Sequence, residues 1–253
     1  MAGYWLKYGN AALNRNGFAV GEKSYDPYNP LGLPPFTVRA QFYYTPTVGD
    51  TRTLVDEANG IWDITYNNTD WSHFFKPDKR SLRAILGANI KDVTDITYLC
   101  GECERLRSVS IFDTSSITSF EGIFESCTSL LDVADLPTQS VTNMRAAFWT
   151  CRWLATAPLF DTSSVTNMSS MFKYCSGLIE VPLIDTSSAT NMDEMFSGCN
   201  NVRTGALALY QQASTQTTPP VSHNYCFSGC GSQTVTGAQE LAQIPTSWGG
   251  TMQ

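Results

Sequence analysis

The stretch Asp161-Thr162-Ser163-Ser164-Val165-Thr166-Asn167-Met168-Ser169-Ser170-Met171-Phe172-Lys173-Tyr174-Cys175-Ser176-Gly177-Leu178 is one copy of a unit that recurs along the chain. Cys103, Cys127, Cys151, Cys175 and Cys199 follow one another at intervals of 24 residues without a slip. Phe124, Phe148, Phe172 and Phe196 each stand three residues before a cysteine of this series, and Leu106, Leu130, Leu154, Leu178 and Val202 three residues after. Val109, Val133, Ala157 and Val181 come next, then Ile111, Leu159 and Leu183, with Asp135 the exception in that column. Self-similarity at a fixed period marks units that bury their apolar face only against their neighbours. These columns are therefore the expected core.

Between the apolar columns lies a corner written Asp-Thr-Ser-Ser at 113–116, 161–164 and 185–188 and Pro-Thr-Gln-Ser at 137–140. Asp and Ser side chains bond to nearby backbone groups and hold such corners tight. Asn143, Asn167 and Asn191 follow in register, as a stacked ladder that satisfies backbone groups in each corner. Leu-x-x-Val-x-Leu reads as a short strand, and Met-x-x-Met-Phe-x-x-Cys, apolar at i, i+3 and i+4, as about one turn of helix. One strand and one short helix per unit predict a solenoid.

The repeat runs upstream through Asn89–Ile96, with Leu82 and Ile85 ahead of Leu106 and Val109. Downstream, Cys226-Phe227-Ser228-Gly229-Cys230 copies Met195–Cys199 after a longer spacing that includes Ala206–Ala213, a helical candidate. Three segments result: a β-rich N-terminal capping or attachment module over 1–75, the repeat body over 76–205, and an insertion, last degenerate repeat and C-terminal cap over 206–253. In the first of these, Tyr, Trp, Phe and Val alternate with Gly, Asn and Pro as in short strands and turns. Its Tyr25–Tyr28 and Phe42–Tyr44 loops carry rigid aromatic groups of the kind enriched at interfaces.

Of the 253 residues 42% are hydrophobic and only 15% charged, enough to bury a core under a largely neutral, polar surface. A net charge of −7 argues against a nucleic-acid partner, which needs clustered Lys and Arg. No apolar run reaches the length of a membrane span, so no membrane insertion is expected. His73 and His223, the two histidines, sit in no metal or triad spacing and read as polar surface residues. Cys100 and Cys103 have the spacing of a zinc or redox pair, yet they occupy the Phe and Cys columns of the repeat. The ladder cysteines are expected to be reduced thiols acting as small hydrophobes, and a zinc site at Cys100, Cys103, Cys226 and Cys230 or a bridge between units is the alternative that thiol titration and metal analysis would reveal. No catalytic, cofactor-binding or metal-binding residues are expected, and the chain does not read as an enzyme.

The run Phe160–Leu178 resembles BspA-like leucine-rich repeats and the related repeats of mycoplasma lipoproteins. The resemblance implies an α/β repeat fold, a leucine-rich-repeat solenoid of 24-residue coils behind the β-rich module, with a contact role at a surface. Residues 1–75, in Tyr4–Gly9, Leu33–Arg39 and Leu54–Ile64, resemble the N-terminal module of structural proteins of tailed phages of gut bacteria. That implies a non-enzymatic virion protein: a head fibre, capsid decoration or tail-associated adhesion protein. The opening residues lack the basic and apolar segments of a secretory signal, so the expected location is a virion assembled in the host cytoplasm. A bacterial cell-surface adhesin and an intracellular interaction scaffold are the alternatives. Expected partners are other virion proteins through the N-terminal module, a host surface protein or glycan, and further copies in a dimer or trimer.

Contact residues should vary where the core columns hold still. Trp149, Trp153 and Tyr174 take places held in neighbouring units by Glu125, Ser129 and Ser126, and exposed aromatics anchor interfaces or stack on sugars. On the strand face, Arg107, Asp132, Glu180 and Arg203 are the charged candidates.

Overall fold

Val38, Ala40 and Phe42 are buried and alternate with the half-exposed Arg39 and Gln41, the period of a strand with one face on a core. This strand, β1 (Thr37–Phe42), lies at the centre of the N-terminal part in the computed structural model, which describes residues 26–252. Tyr4–Gly9 and Tyr25, singled out in the sequence, fall outside the described residues. β2 (Thr51–Asp56) and β3 (Ile61–Thr65) form a hairpin, and β3 and β4 (Leu82–Asn89) flank β1, both antiparallel. Arg39 fastens β1 to β3 by a two-pronged bond to Asp63, at 2.6 and 2.7 Å. β4 then pairs in parallel with the two-residue strand β5 (Ser108–Val109), and β5 with β6 (Asp132–Val133). The result is one mixed six-stranded sheet, ordered β2-β3-β1-β4-β5-β6. α1 (Ala206–Thr215) and α2 (Val235–Leu241) are the α-helices among the described residues.

This overturns the expected α/β leucine-rich-repeat solenoid: among the described residues no repeat unit contains an α-helix, and the strand appears as a ladder in only part of the stack. Two backbone positions per unit explain the missing helix. Tyr98, Gly122, Ala146, Ser170, Glu194 and Tyr225 all have φ between 54° and 59°. Glu102, Ser126, Thr150, Tyr174, Gly198 and Gly229, four residues further on in each unit, have φ between 58° and 76°. A left-handed residue ends right-handed helix, at about 1–2 kcal/mol for a side chain other than glycine.

The polar groups freed in this way bond across the stack. Met144, Ala146, Phe148 and Thr150 donate their N–H to the carbonyls of Asn167, Ser169, Met171 and Lys173 of the next unit, at 2.8–3.0 Å. Ala147, Trp149 and Cys151 instead close turns onto Met144, Ala146 and Phe148. Alternate amides thus serve the neighbour and the unit itself, which leaves no buried backbone donor idle along this edge.

The strand ladder fails for a covalent reason. Ser110 donates to Ile85 and Ala134 to Val109. The next residues in that column are Pro158 and Pro182, which have no N–H. Pairing lapses after β6 and resumes only as an isolated bridge between Glu180 and Thr204. One expected core column is also corrected. The N–H groups of Phe160 and Ile184 bond to the carbonyls of Pro158 and Pro182, a three-residue turn with the leucine at its apex. Leu159 and Leu183 are 78% and 69% exposed, and Phe112, Leu136 and Phe160, one place on, fill the interior, the first two in units without the proline.

The remaining columns are buried as expected: the five Cys, the four Phe, the Leu/Val series from Leu106 to Val202 and Val109 to Val181. Phe124, Phe148, Phe172, Phe196, Phe227 and Trp248 stack in sequence, with centroids 5.2–6.4 Å apart. Each thiol Sγ–H of Cys127, Cys151, Cys175 and Cys199 points to the carbonyl of Cys100, Phe124, Phe148 and Phe172 in the preceding unit, at 3.0–3.1 Å.

The first unit begins earlier than the exact period reveals. Trp71, His73 and Phe75 donate to Asp95, Thr97 and Leu99 just as later units do, and Asp70 bridges Asp95. Thr69-Asp70-Trp71 matches Thr94-Asp95-Ile96 with a one-residue slip. At the other end, α1 is looped out between units, and the Glu240 carboxylate of α2 accepts the N–H groups of Gly205 and Leu207 at its start. Trp248 closes the Phe stack, its carbonyl taking the N–H of Phe227.

Candidate functional site

Because the core columns repeat, each surface column is a row of side chains on an even backbone, and variation within a row marks a local feature. The clearest lies on the turn edge. Trp149 and Lys173 share one column, and Tyr174 follows Lys173 beside Thr150, whose N–H bonds to the Lys173 carbonyl at 2.8 Å. The Lys173 ammonium lies 5.8 Å from the centre of the Trp149 ring and 5.4 Å from that of Tyr174, and forms an ion pair with Glu194 at 2.7 Å. A cation held over two aromatic faces is attracted by both.

Tyr174, 49% exposed, is fixed from below by Gly198: a Cβ there would come within 2.3 Å of the Tyr174 ring. The indole Nε1 of Trp149 is buried without a hydrogen-bond partner among the described residues.

Trp153 does not join this group. It is 68% exposed and stands four places beyond Trp149 in the same unit, where its backbone packs against Gly177. The sequence-level trio is thus a pair bridged by a lysine, plus a separate aromatic. Lys173 and Glu194 were not singled out from the sequence. The signal was there, since the Lys173 column otherwise holds Gly101, Glu125, Trp149 and Ser197.

Arg107, Asp132, Glu180 and Arg203 are all exposed on the strand face, in two pairs. Asp132 donates its N–H to the Arg107 carbonyl, and Arg203 donates to Ile179 beside Glu180. The unit at Ala155–Pro158 separates the pairs, and neither forms an ion pair.

The Asn side chains serve backbone groups within their own corners and do not bond to one another. Asn143, Asn167 and Asn191 are half-buried, and each side-chain oxygen accepts the N–H two residues on, from Arg145, Ser169 and Asp193 at 2.9–3.1 Å. Their backbones, rather than their amides, link unit to unit. Only Asn143 reaches back, to Glu121 at 2.9 Å. Glu121 also holds Arg145 at 2.9 Å and raises its pKa, while burial pushes the Tyr98 phenol up beside it. The buried polar ladder is instead one of threonines. Thr138 and Thr162 donate to the carbonyls of Asp161 and Asp185 at 2.9 and 2.8 Å, and Thr114 does the same to Pro137.

The two histidines are ring partners: His73 stacks on Tyr98 and His223 on Trp248, with centroids 4.9 and 4.0 Å apart. Cys100 and Cys103 are buried, and burial raises the Cys100 thiol well above its ordinary range. Among the described residues no three His, Cys, Asp or Glu are grouped to hold a metal ion, and no helix is long and apolar enough to cross a membrane.

Residues 69–156 and 142–219 both match the family model described as "Mycoplasma protein of unknown function, DUF285". The first match starts at Thr69, where the first unit starts. No curated protein matches, and no solved structure does.

Proposed function

This chain belongs to the DUF285 family, that of the BspA-like mycoplasma repeat proteins, and we propose that it is a non-enzymatic contact protein of a tailed-phage virion. In this reading the repeat fixes a backbone, and side chains that depart from their column make the contacts. The observation that carries it is the Trp149–Lys173–Tyr174 group, an aromatic and cationic surface on a frame whose equivalent positions elsewhere are small or acidic. Aromatic and cationic groups fixed in place suit a protein or glycan partner, because little side-chain freedom remains to be lost on binding. The virion assignment, as head fibre, capsid decoration or tail-associated adhesion protein, is supported by the likeness of Leu33–Arg39 and Leu54–Ile64 to phage structural modules. These segments carry β1 and the β2–β3 hairpin, so the module that would attach to other virion proteins is hydrogen-bonded through β4 to the repeat body.

Mass spectrometry of gradient-purified phage particles, compared with envelopes and cytosol of the producing cells, tests this reading. Recovery with particles at a fixed ratio to capsid protein supports it. Recovery in the envelope points to a cell-surface adhesin, and recovery only in the cytosol to an interaction scaffold; either result overturns the virion assignment.

A further inference from the structure

Charge is unevenly divided along the chain. Residues 113–253 hold eleven carboxylates against Arg145, Arg152, Lys173 and Arg203, which accounts for the whole net charge of −7, while residues 1–112 balance. Within the balanced part, basic residues gather on one surface. The guanidinium groups of Arg83 and Arg105 both lie over the ring of Tyr43, at 4.5 and 5.0 Å from its centroid. Arg107 is next to Arg83 across the β4–β5 ladder, its N–H on the Arg83 carbonyl at 2.8 Å. None of these three arginines takes part in an ion pair among the described residues. The Arg83 Nε is buried with no hydrogen-bond partner among the described residues.

The loop beneath them is held rigidly. Tyr43 donates its N–H to the Ser81 carbonyl at 2.8 Å, and Tyr44 donates to the Ser81 hydroxyl at 2.9 Å. The buried Asp78 carboxylate accepts the N–H groups of Thr47 and Val48 at 2.7 and 3.0 Å, together with the Thr47 hydroxyl. Tyr43 and Tyr44 are nevertheless 43% and 69% exposed.

We infer that Arg83, Arg105 and Arg107, with Tyr43 and Tyr44, form a docking surface for an acidic polypeptide segment of a partner protein. Planar guanidiniums stacked on an aromatic ring are oriented before binding and match carboxylates with paired hydrogen bonds. Arg and Tyr together are the composition of protein-interface centres. A long phosphate polymer fits poorly, because its dense charge would run alongside the acidic half of the molecule. A short acidic segment can seat on the arginine cluster alone. The inference deepens the reading of a virion contact protein by naming the chemistry of one attachment surface, and rests on that reading for the partner's identity only.

The test is a titration of the full-length protein with a fluorescent oligoglutamate peptide, with inorganic polyphosphate of similar charge in parallel. Saturable peptide binding is expected, weakened about tenfold or more in the Arg83→Gln/Arg105→Gln double variant and lost progressively with salt. Arg107→Gln and Tyr44→Ala, at exposed positions, should weaken binding without altering the unfolding midpoint, which guards against a misfolded double variant. No peptide binding, binding unchanged in all three variants, or tighter binding of polyphosphate than of peptide would overturn the inference. None of these outcomes bears on whether the protein is found in particles, so the two readings fail separately.

Discussion

The rings of Phe148 and Phe172 lie face to face, their centroids 5.2 Å apart and their planes within 6° of parallel. Their positions in sequence differ by one repeat, so ring registers with ring wherever backbone registers with backbone. Phe148→Ala is expected to cost about 3–5 kcal/mol in denaturant unfolding, as for other buried aromatics. Paired with Phe172→Ala, the loss should depart from the sum of the two single losses, because the residues touch. Strict additivity would mean that the stack contributes nothing beyond burial.

Ala146 and Ser170 occupy the left-handed position of successive turns. Ala146→Gly removes that strain and should leave stability unchanged or raise it by up to about 1 kcal/mol. Ala146→Val places a β-branched residue where it is least tolerated and should cost at least about 2 kcal/mol. Equal effects of the two, measured by thermal unfolding, would argue that the backbone at this position is not left-handed.

Burial raises the thiols of Cys100, Cys127, Cys151, Cys175, Cys226 and Cys230 and pushes Cys199 up to about 12. An unfolded thiol loses its proton near pH 8.5. Above that pH the unfolded state binds fewer protons than the folded one, so stability falls as pH rises toward about 12, and is unaffected by these groups below about pH 8. The unfolding free energy should therefore drop steeply above pH 9, by up to about 1.4 kcal/mol per pH unit for each thiol, and the unfolding midpoint with it. A thiol reagent at neutral pH should find no reactive cysteine in the native protein and all eight after denaturation. Rapid modification of the native protein would contradict the buried ladder.

The Glu240 carboxylate caps the start of α1 from outside that helix. Glu240→Ala should cost about 1–2 kcal/mol, the range of a lost cap. Amide exchange should accelerate first in Ala206–Tyr210 while the Phe stack keeps its protection. Uniform acceleration throughout the chain would show that the cap supports the whole stack rather than one helix.

The period and the buried columns were legible in the sequence because deep burial tolerates only a few residue types at each place, whereas the first unit, from Thr69, was hidden by its one-residue slip. The conformation joining those columns was not. Met168, Met171 and Phe172 carry helical spacing, yet Ser170 between them is left-handed, and an ordinary serine gives no warning of it. Gly122, Gly198 and Gly229 in the same columns were the available hint. The lapse of the sheet was written in Pro158 and Pro182, and the apolar Phe112, Leu136 and Phe160 one place past the expected column marked the true interior position. Of the contact surface, the varied aromatics could be picked out by column. Their grouping could not, because Lys173 joins Trp149 and Tyr174 only through space and leaves Trp153 aside.

The most direct test of this architecture is NMR of the uniformly labelled protein over Met144–Cys151 and the equivalent residues of the next two units. The account predicts no helical run of Cα shifts, left-handed values at Ala146, Ser170 and Glu194, and slow exchange at Met144, Ala146, Phe148 and Thr150, whose amides bond across the stack. Continuous helical shifts through each of these stretches, with amides bonded four residues back, would contradict it.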